Sequence, residues 1–250
     1  MKEYLKWDEK IITDFSDENI NNLYDKGYVF TRQEKGAMQQ TRSVRIDLSR
    51  FELNSENRRI LRKTEDIQMG IMPIPFPDYH WSIGKLAKDF YDTKFGDGTF
   101  SANKVKELLT SAEASNFNIL FIYSLNLSSR ASEATRDLLP RESSNPSKDS
   151  SPTMGIRNDS VGYCIALETN NIIHYSYPFY DLQKSPKDMG MGMMTRAVQY
   201  AKAQGKKYLY LGSAQRPNDT YKFQFDGIEW FDGESWQTDF EKLKNILQKV

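Results

Sequence analysis

The chain has 250 residues, of which 27% are charged and 38% hydrophobic, a composition typical of a globular protein with a sizeable core. Its 34 basic and 34 acidic residues cancel, so any contact with nucleic acid must come from a local patch. The lone cysteine, Cys164, excludes an internal disulfide and a multi-cysteine metal cluster. The histidines His80 and His174 lack metal-ligand spacing, so we expect no metal site. The charged N-terminus and the absence of any long apolar run predict a cytoplasmic protein.

Short helices and strands alternate along the first half of the chain. Apolar spacing and polar caps predict helices over residues 16–26, 54–64, 83–91 and 101–112. Alternating or continuous apolar residues predict strands over 42–53 and 117–127. Residues 70–79 contain three prolines and predict an extended connector.

The second half begins with a segment rich in Ser, Asn, Pro and charge, which predicts a mobile insertion at about 128–159. Two strands follow, and Asn170-Asn171 between them predicts a tight hairpin. Next come a helix that Gly205 ends and a strand over 206–213. Residues 226–236 are rich in turn residues, and Trp236, Phe240, Leu243 and Leu247 predict a final helix.

A hairpin in the middle of an α/β chain indicates a mixed sheet, with one crossover helix after the second hairpin strand. We expect two parts. Residues 1–42 form an N-terminal helical and extended segment, and residues 43–250 form the main domain that carries the insertion.

The turn after the second hairpin strand contains Lys187, Gly190 and Gly192. It resembles the Arg/Gln-x-x-Gly-x-Gly/Ala turn of the GNAT acyltransferase superfamily, with Lys187 in place of the usual first residue. Free amides at a helix start bind phosphate oxygens, and glycine lets a ligand approach the backbone. The alternative is a strand-to-helix turn that binds nothing. The resemblance implies an α/β fold with a GNAT-like mixed sheet.

Four further segments resemble the arginyl-tRNA–protein transferases and their bacterial leucyl-transferring relatives. They are residues 43–67, 95–109, 176–182 and 201–225, and they follow the family order. They include an Arg45-Ile46 strand, a Phe-Tyr-Asp strand end and a Tyr-Leu-Tyr-Leu-Gly strand. The chain lacks the cysteine cluster that the family carries before the Arg-Ile strand, and its sequence after the Leu-Gly strand differs from the family pattern.

This resemblance implies transfer of an amino acid from its tRNA to the N-terminal amine of a protein or peptide. Aminoacyl-tRNA would be a co-substrate, with no other cofactor. Two alternatives remain open: a GNAT N-acetyltransferase that uses acyl-CoA through the same turn, and a binding module without catalysis. The sequence leaves the amino acid transferred and the oligomeric state open.

Candidate catalytic and donor-binding residues lie around the glycine turn. Asp181 is the candidate base, or orients the amine; capping the turn is the alternative. Tyr180 is a second catalytic candidate that would line the pocket for the tRNA end, or belong to the core edge. Amides from Gly190 to Gly192 would hold a phosphate or the oxyanion of a tetrahedral intermediate. Lys187 completes the turn motif.

The remaining candidates come from the resemblance and from local charge. Tyr210 would line the pocket, or belong to the core edge. Tyr221 and Lys222 match the family's Tyr-Lys pair, and Lys222 would contact the donor or be a solvated lysine. A basic cluster on one short helix would bind tRNA phosphates, or pair with Glu56 and Glu65; its members are Arg58, Arg59, Arg62 and Lys63. His174 and Cys164 are expected to be structural.

Overall fold

The computed structural model describes residues 5–126 and 160–249. The mobile insertion predicted at about 128–159 lies outside the described residues. The strands of the described part form a sheet of eight strands and a separate sheet of three.

The large sheet has the order β11-β10-β4-β9-β8-β7-β6-β5. Every neighbouring pair is antiparallel except β8 and β9, which are parallel. The strands are β4 (Ser43–Asp47), β5 (Ile67–Pro73), β6 (Ile119–Leu125), β7 (Ser160–Glu168), β8 (Ile172–Tyr180), β9 (Tyr208–Ser213), β10 (Ile228–Phe231) and β11 (Trp236–Gln237).

The small sheet has the order β1-β3-β2 and lies within the predicted N-terminal segment. It consists of β1 (Asp8–Ile11), β2 (Tyr28–Phe30) and β3 (Ala37–Gln40), and helix α1 (Asp17–Asp25) precedes β2. The Ser16 side chain accepts a hydrogen bond from the Asn19 amide and caps α1, as its sequence predicts.

Helices cover both faces of the large sheet. Helices α3 (Trp81–Phe95) and α4 (Ala102–Thr110) share one apolar cluster with α1, whereas α5 (Met189–Ala203) and α6 (Phe240–Gln248) share the other. Helix α2 (Ser55–Lys63) lies against α5. The core therefore has two layers, one on each face of the sheet.

The hairpin β7–β8 turns at Asn170 and Asn171, and α5 then crosses over to the parallel strand β9. This arrangement confirms the predicted α/β class, a GNAT-like mixed sheet with a central hairpin and a crossover helix. Strands β8 and β9 pair only from Ile172–Tyr208 to His174–Tyr210. Beyond His174, β8 keeps β7 as its strand partner, so a gap opens between β8 and β9.

Three local predictions were wrong. Residues 70–73 were expected in a connector, but they continue β5, which pairs with β6 as far as Pro73. The strand is at the sheet edge, where proline is tolerated because one side of the backbone needs no partner. Residues 226–236 were expected to be turns, but Ile228–Phe231 pairs with β4. Trp236 belongs to β11 and not to the final helix, which begins at Phe240.

None of the helices in residues 5–126 and 160–249 combines the length and apolar character that crossing a lipid bilayer requires.

Candidate functional site

The glycine turn leaves two backbone amides open at the start of α5. The Met189 amide donates to the Pro186 carbonyl at 3.2 Å, and the Gly192 amide donates to the Asp188 carbonyl at 2.9 Å. The amides of Gly190 and Met191 have no acceptor within the described part of the chain, and both residues are partly exposed. The helix start therefore presents donors with the partial positive charge of a helix N-terminus.

The two glycines of the turn differ in their surroundings. A Cβ built on Gly192 would lie 2.6 Å from Thr64 Oγ1, so this glycine lets α5 lie against the end of α2. A Cβ on Gly190 would lie 3.4 Å from the Tyr180 ring, which is an ordinary contact. Gly192 thus serves helix packing, whereas only the Gly190 position is open to a ligand.

The basic end of α2 lies beside this helix start. Asp188 precedes α5 with a left-handed backbone (φ 70°). Its Oδ2 is 3.5 Å from the Arg59 guanidinium and 3.6 Å from Lys63 Nζ. Arg58 and Arg62 are exposed on the same helix. The structure therefore brings the predicted tRNA-binding residues and the predicted glycine turn together.

Arg196 of α5 fixes the relative position of the two helices. Its guanidinium donates to Thr64 Oγ1 at 2.9 Å, to the Ile67 carbonyl at 3.1 Å and to the Thr64 carbonyl. Sequence reasoning did not single out Arg196 or Thr64. The sequence offered two signals for this contact. Thr64 is a polar residue that directly follows a helix, and Arg196 is a lone arginine on an otherwise apolar helix face.

The Tyr180 hydroxyl adjoins the open end of α5. The side chain is half-buried, its ring packs against Phe90 with 4.8 Å between centroids, and a Cβ on Gly190 would lie 3.4 Å from the hydroxyl. Burial raises the pKa of Tyr180, so the phenol stays protonated at neutral pH. It is a hydrogen-bond donor or acceptor at the glycine turn.

Asp181 has the contacts of a turn cap. Its Oδ1 accepts hydrogen bonds from the Gln183 amide at 2.9 Å and the Lys184 amide at 3.0 Å. The Lys184 ammonium lies 3.7 Å from Oδ2. These contacts match the capping alternative, and a role of Asp181 as base stays a prediction.

Tyr221 and Lys222 lie in a 3₁₀ segment, Pro217–Gln224, that follows β9. The Tyr221 side chain is 40% exposed, and its hydroxyl is close enough to those of Tyr180 and Tyr175 to interact electrostatically. Lys222 is only 7% exposed, and its Nζ donates to the Ser213 carbonyl at 2.6 Å. The alternative interpretation of Lys222 as a solvated lysine is therefore wrong.

Tyr210 is fully buried, which matches its core alternative rather than a place in the tRNA pocket. Arg45 donates to its hydroxyl at 3.2 Å and also pairs with Glu229 and Asp25. The Arg45 guanidinium stacks over Trp236 at 3.8 Å. The arginine of the Arg-Ile strand is therefore a structural anchor of β4.

His174 and Cys164 are buried. Burial first, and then the Lys222 charge, lowers the pKa of His174 to about 3. The Tyr24 hydroxyl lies 2.8 Å from its Nδ1. Burial raises the pKa of Cys164 well above its ordinary value, so the thiol is not reactive. Among the described residues, no group of three His, Cys, Asp or Glu side chains is placed to hold a metal ion.

The chain is similar over nearly its whole length to the aspartate/glutamate leucyltransferase of Saccharophagus degradans (strain 2-40 / ATCC 43961 / DSM 17024). The two are 23% identical over an alignment of 245 residues, and the match covers 92% of this chain and 90% of the relative. No protein-family model matches the chain.

Two solved structures are similar in fold. L-PGS from Bacillus licheniformis is 12% identical, with a TM-score of 0.45, over 92% of this chain and 69% of that one. FemX is 10% identical, with a TM-score of 0.44, over 80% of this chain and 60% of that one.

Proposed function

We propose that this chain transfers an amino acid from aminoacyl-tRNA to the α-amine of a peptide or protein N-terminus. One observation carries the proposal: the basic end of α2 lies against the open N-terminus of α5, through Arg59, Lys63 and Asp188. The similarity to a leucyltransferase across the chain supports the same reaction class. That relative's name also supports acceptors that begin with an acidic residue.

The tRNA would be held by local charge, since the net charge of the chain is zero. Arg58 and Arg62 are exposed, and Lys187 adds a further exposed cation before α5. Cations that contact phosphates release counterions, which makes the affinity fall steeply with salt. Aminoacyl-tRNA is a cytoplasmic donor, so the proposal places the reaction in the cytoplasm.

The reaction forms an amide N–C bond and breaks the C–O ester bond to the terminal ribose. The neutral α-amine attacks the ester carbonyl, and its proton passes to the departing ribose oxygen. An α-amine has a pKa of about 8, so a useful fraction is neutral near pH 7 without a strong base. The amides of Gly190 and Met191 would hold the developing oxyanion or the terminal phosphate.

The protonated Tyr180 hydroxyl is the side chain best placed to help this transfer. It lies beside Gly190, whereas the Asp181 carboxylate is held by the Gln183 and Lys184 amides. We therefore assign Tyr180 a hydrogen bond to the ester oxygen or to the amine. Asp181 would instead hold the turn that follows β8 in place.

An acyl-CoA donor is the competing possibility, because the same two amides suit a pyrophosphate. It does not account for the basic end of α2. A melting temperature that stays constant at high CoA concentration excludes it, since a ligand that binds only the folded state raises that temperature.

The proposal is tested with a pool of radiolabelled aminoacyl-tRNAs and a peptide library that varies at the first residue. We expect label on peptides with acidic first residues, and a loss of about 100-fold in kcat for Tyr180→Phe, in the range of acid–base contributions. The matched control is Tyr200→Phe, on a partly exposed tyrosine of α5 away from the turn. Absence of label on every peptide would contradict the proposal.

A further inference from the structure

Three cationic side chains of the described residues are buried: Arg42, Arg45 and Lys222. Arg45 has Asp25 and Glu229 as counter-charges. Within the described part of the chain, Lys222 has no carboxylate within ion-pair distance, and its hydrogen-bond acceptor is the Ser213 carbonyl. An ammonium group taken out of water without a counter-ion is unfavourable, so this site is electrostatically incomplete.

Within the described residues, none of the groups around Lys222 forms an ion pair with its ammonium. Asp219 acts on Lys222 electrostatically, but its Oδ2 accepts hydrogen bonds from the Gln215 amide at 2.8 Å and the Arg216 amide at 3.0 Å. His174 is neutral, as its low pKa shows, and Arg216 adds further positive charge. An ammonium has three donors, so Lys222 retains capacity for an incoming anion.

Lys222 also adjoins the site of transfer. Its neighbour Tyr221 interacts electrostatically with Tyr180, and the Tyr180 ring contacts Gly190. Its Nζ donates to the carbonyl of Ser213, the last residue of β9, and β9 pairs with β8 only as far as His174–Tyr210. A ligand group in the gap between β8 and β9 would therefore have the open amides of α5 on one side and Lys222 on the other.

We infer that Lys222 is a specificity-determining residue that binds the side-chain carboxylate of an acidic first residue in the acceptor. The inference rests on the proposed function, because it assumes that an acceptor N-terminus lies in this gap. The carboxylate would complete the charge of Lys222, whereas a neutral asparagine or glutamine side chain would leave the ammonium uncompensated. The preference for acidic first residues then has two sources. Lys222 lacks an ion-pair partner in the free protein, and it gains one when the carboxylate binds.

Arg42 gives the matched control. It is also buried and lacks a carboxylate partner within the described residues, and its guanidinium donates to the Ala214 carbonyl at 3.3 Å. It precedes β4 and is not part of the segment that carries Tyr221. Arg42→Met therefore removes a buried cation of the same kind while it leaves the hydrogen bond of Lys222 to Ser213 in place.

The test measures binding of two peptide amides, aspartyl-alaninamide and asparaginyl-alaninamide, to wild-type protein, Lys222→Met and Arg42→Met. We expect wild type and Arg42→Met to prefer the aspartyl peptide by about tenfold or more, the size of a charge-assisted hydrogen bond. Lys222→Met should bind both peptides equally. Equal binding by wild type, no binding of either peptide, or a preference that persists in Lys222→Met would overturn the inference.

A second measurement separates this inference from the proposed function. Transfer of label to both peptides by wild type, with the same relative rates in Lys222→Met, would leave the transfer reaction standing and remove the role of Lys222. Reduced tRNA affinity in Lys222→Met, with the acid preference intact, would assign the residue to the donor and contradict the inference. Thermal unfolding of each variant shows whether the fold is retained.

Discussion

A Cβ on Gly192 would lie 2.6 Å from Oγ1 of Thr64, closer than nonbonded atoms approach. The second glycine of the turn is thus explained by contact between two helices, α5 and α2. That contact places the cations of α2 at the N-terminus of α5, where Asp188 joins them. Gly192 therefore contributes to the candidate site by allowing the contact between α5 and α2, and not by contacting a ligand.

Gly192→Ala should destabilise the protein by about 1–3 kcal/mol, the usual effect of a larger side chain in a packed interior. Thr64 is buried and cannot move away freely. Chemical denaturation measures the change. Gly190→Ala is the control, because its Cβ meets Tyr180 at an ordinary 3.4 Å and alanine favours a helix. Equal stability of the two variants would contradict the packing role of Gly192.

Arg45→Met should cost about 2–3 kcal/mol of stability, because it removes the buried guanidinium that pairs with the partly buried Glu229 at 2.8 Å and with Asp25 at 2.9 Å. Arg50→Met is the matched control. Arg50 pairs with the same Glu229 but is 46% exposed, so its loss should cost about 1 kcal/mol or less. Denaturant midpoints at neutral pH measure both. A larger loss of stability in Arg50→Met than in Arg45→Met would show that Arg45 is not the anchor of β4.

His174 should make stability depend on pH. Its pKa is about 3 in the folded protein, against an ordinary value of 6.5 that applies to the unfolded chain. Between these values the unfolded chain binds more protons, so stability falls as pH drops through this window, by about 1.4 kcal/mol per pH unit. Above 6.5 the effect disappears.

The free energy of unfolding, measured as a function of pH for wild type and His174→Gln, checks this expectation. The variant is less stable at neutral pH, and the difference between the two proteins should shrink as the pH falls. Parallel curves for the two proteins would show that His174 does not titrate as described.

Arg62→Glu should weaken tRNA binding and reduce the slope of log affinity against log salt by about one or more, because it removes one phosphate contact and adds a repulsive charge. Lys106→Glu is the control, on the exposed surface of α4 across the sheet. Fluorescence anisotropy over a range of salt concentrations measures both slopes. An identical loss in the two variants would mean that the binding is nonspecific.

Local patterns in the sequence predicted most of the fold. The Asn170-Asn171 turn and the apolar face of α5 gave the hairpin and the crossover, and therefore the mixed sheet. The three prolines in residues 70–79 led to the prediction of a connector where β5 ends. The turn residues in 226–236 led to the prediction of turns where β10 lies. Both strands exist because a neighbouring strand pairs with them, which a local pattern does not contain.

The candidate site was predicted in outline only. The glycine turn and the basic helix were recognised separately, but their contact depends on Thr64 and Arg196, which are distant in sequence. Burial in the folded protein distinguishes between the alternatives for two other candidate residues. Lys222 occupies a 3₁₀ position where a solvated lysine was one alternative, yet tertiary packing encloses it, whereas the burial of Tyr210 matches its predicted core alternative.

The most direct measurement is mass spectrometry of an acidic peptide after incubation with the protein and fully aminoacylated tRNA. We predict that the peptide gains the mass of one amino acid at its α-amine, and that an N-acetylated copy of the same peptide gains nothing. An unmodified free peptide, or equal modification of the blocked one, would contradict transfer to the N-terminal amine.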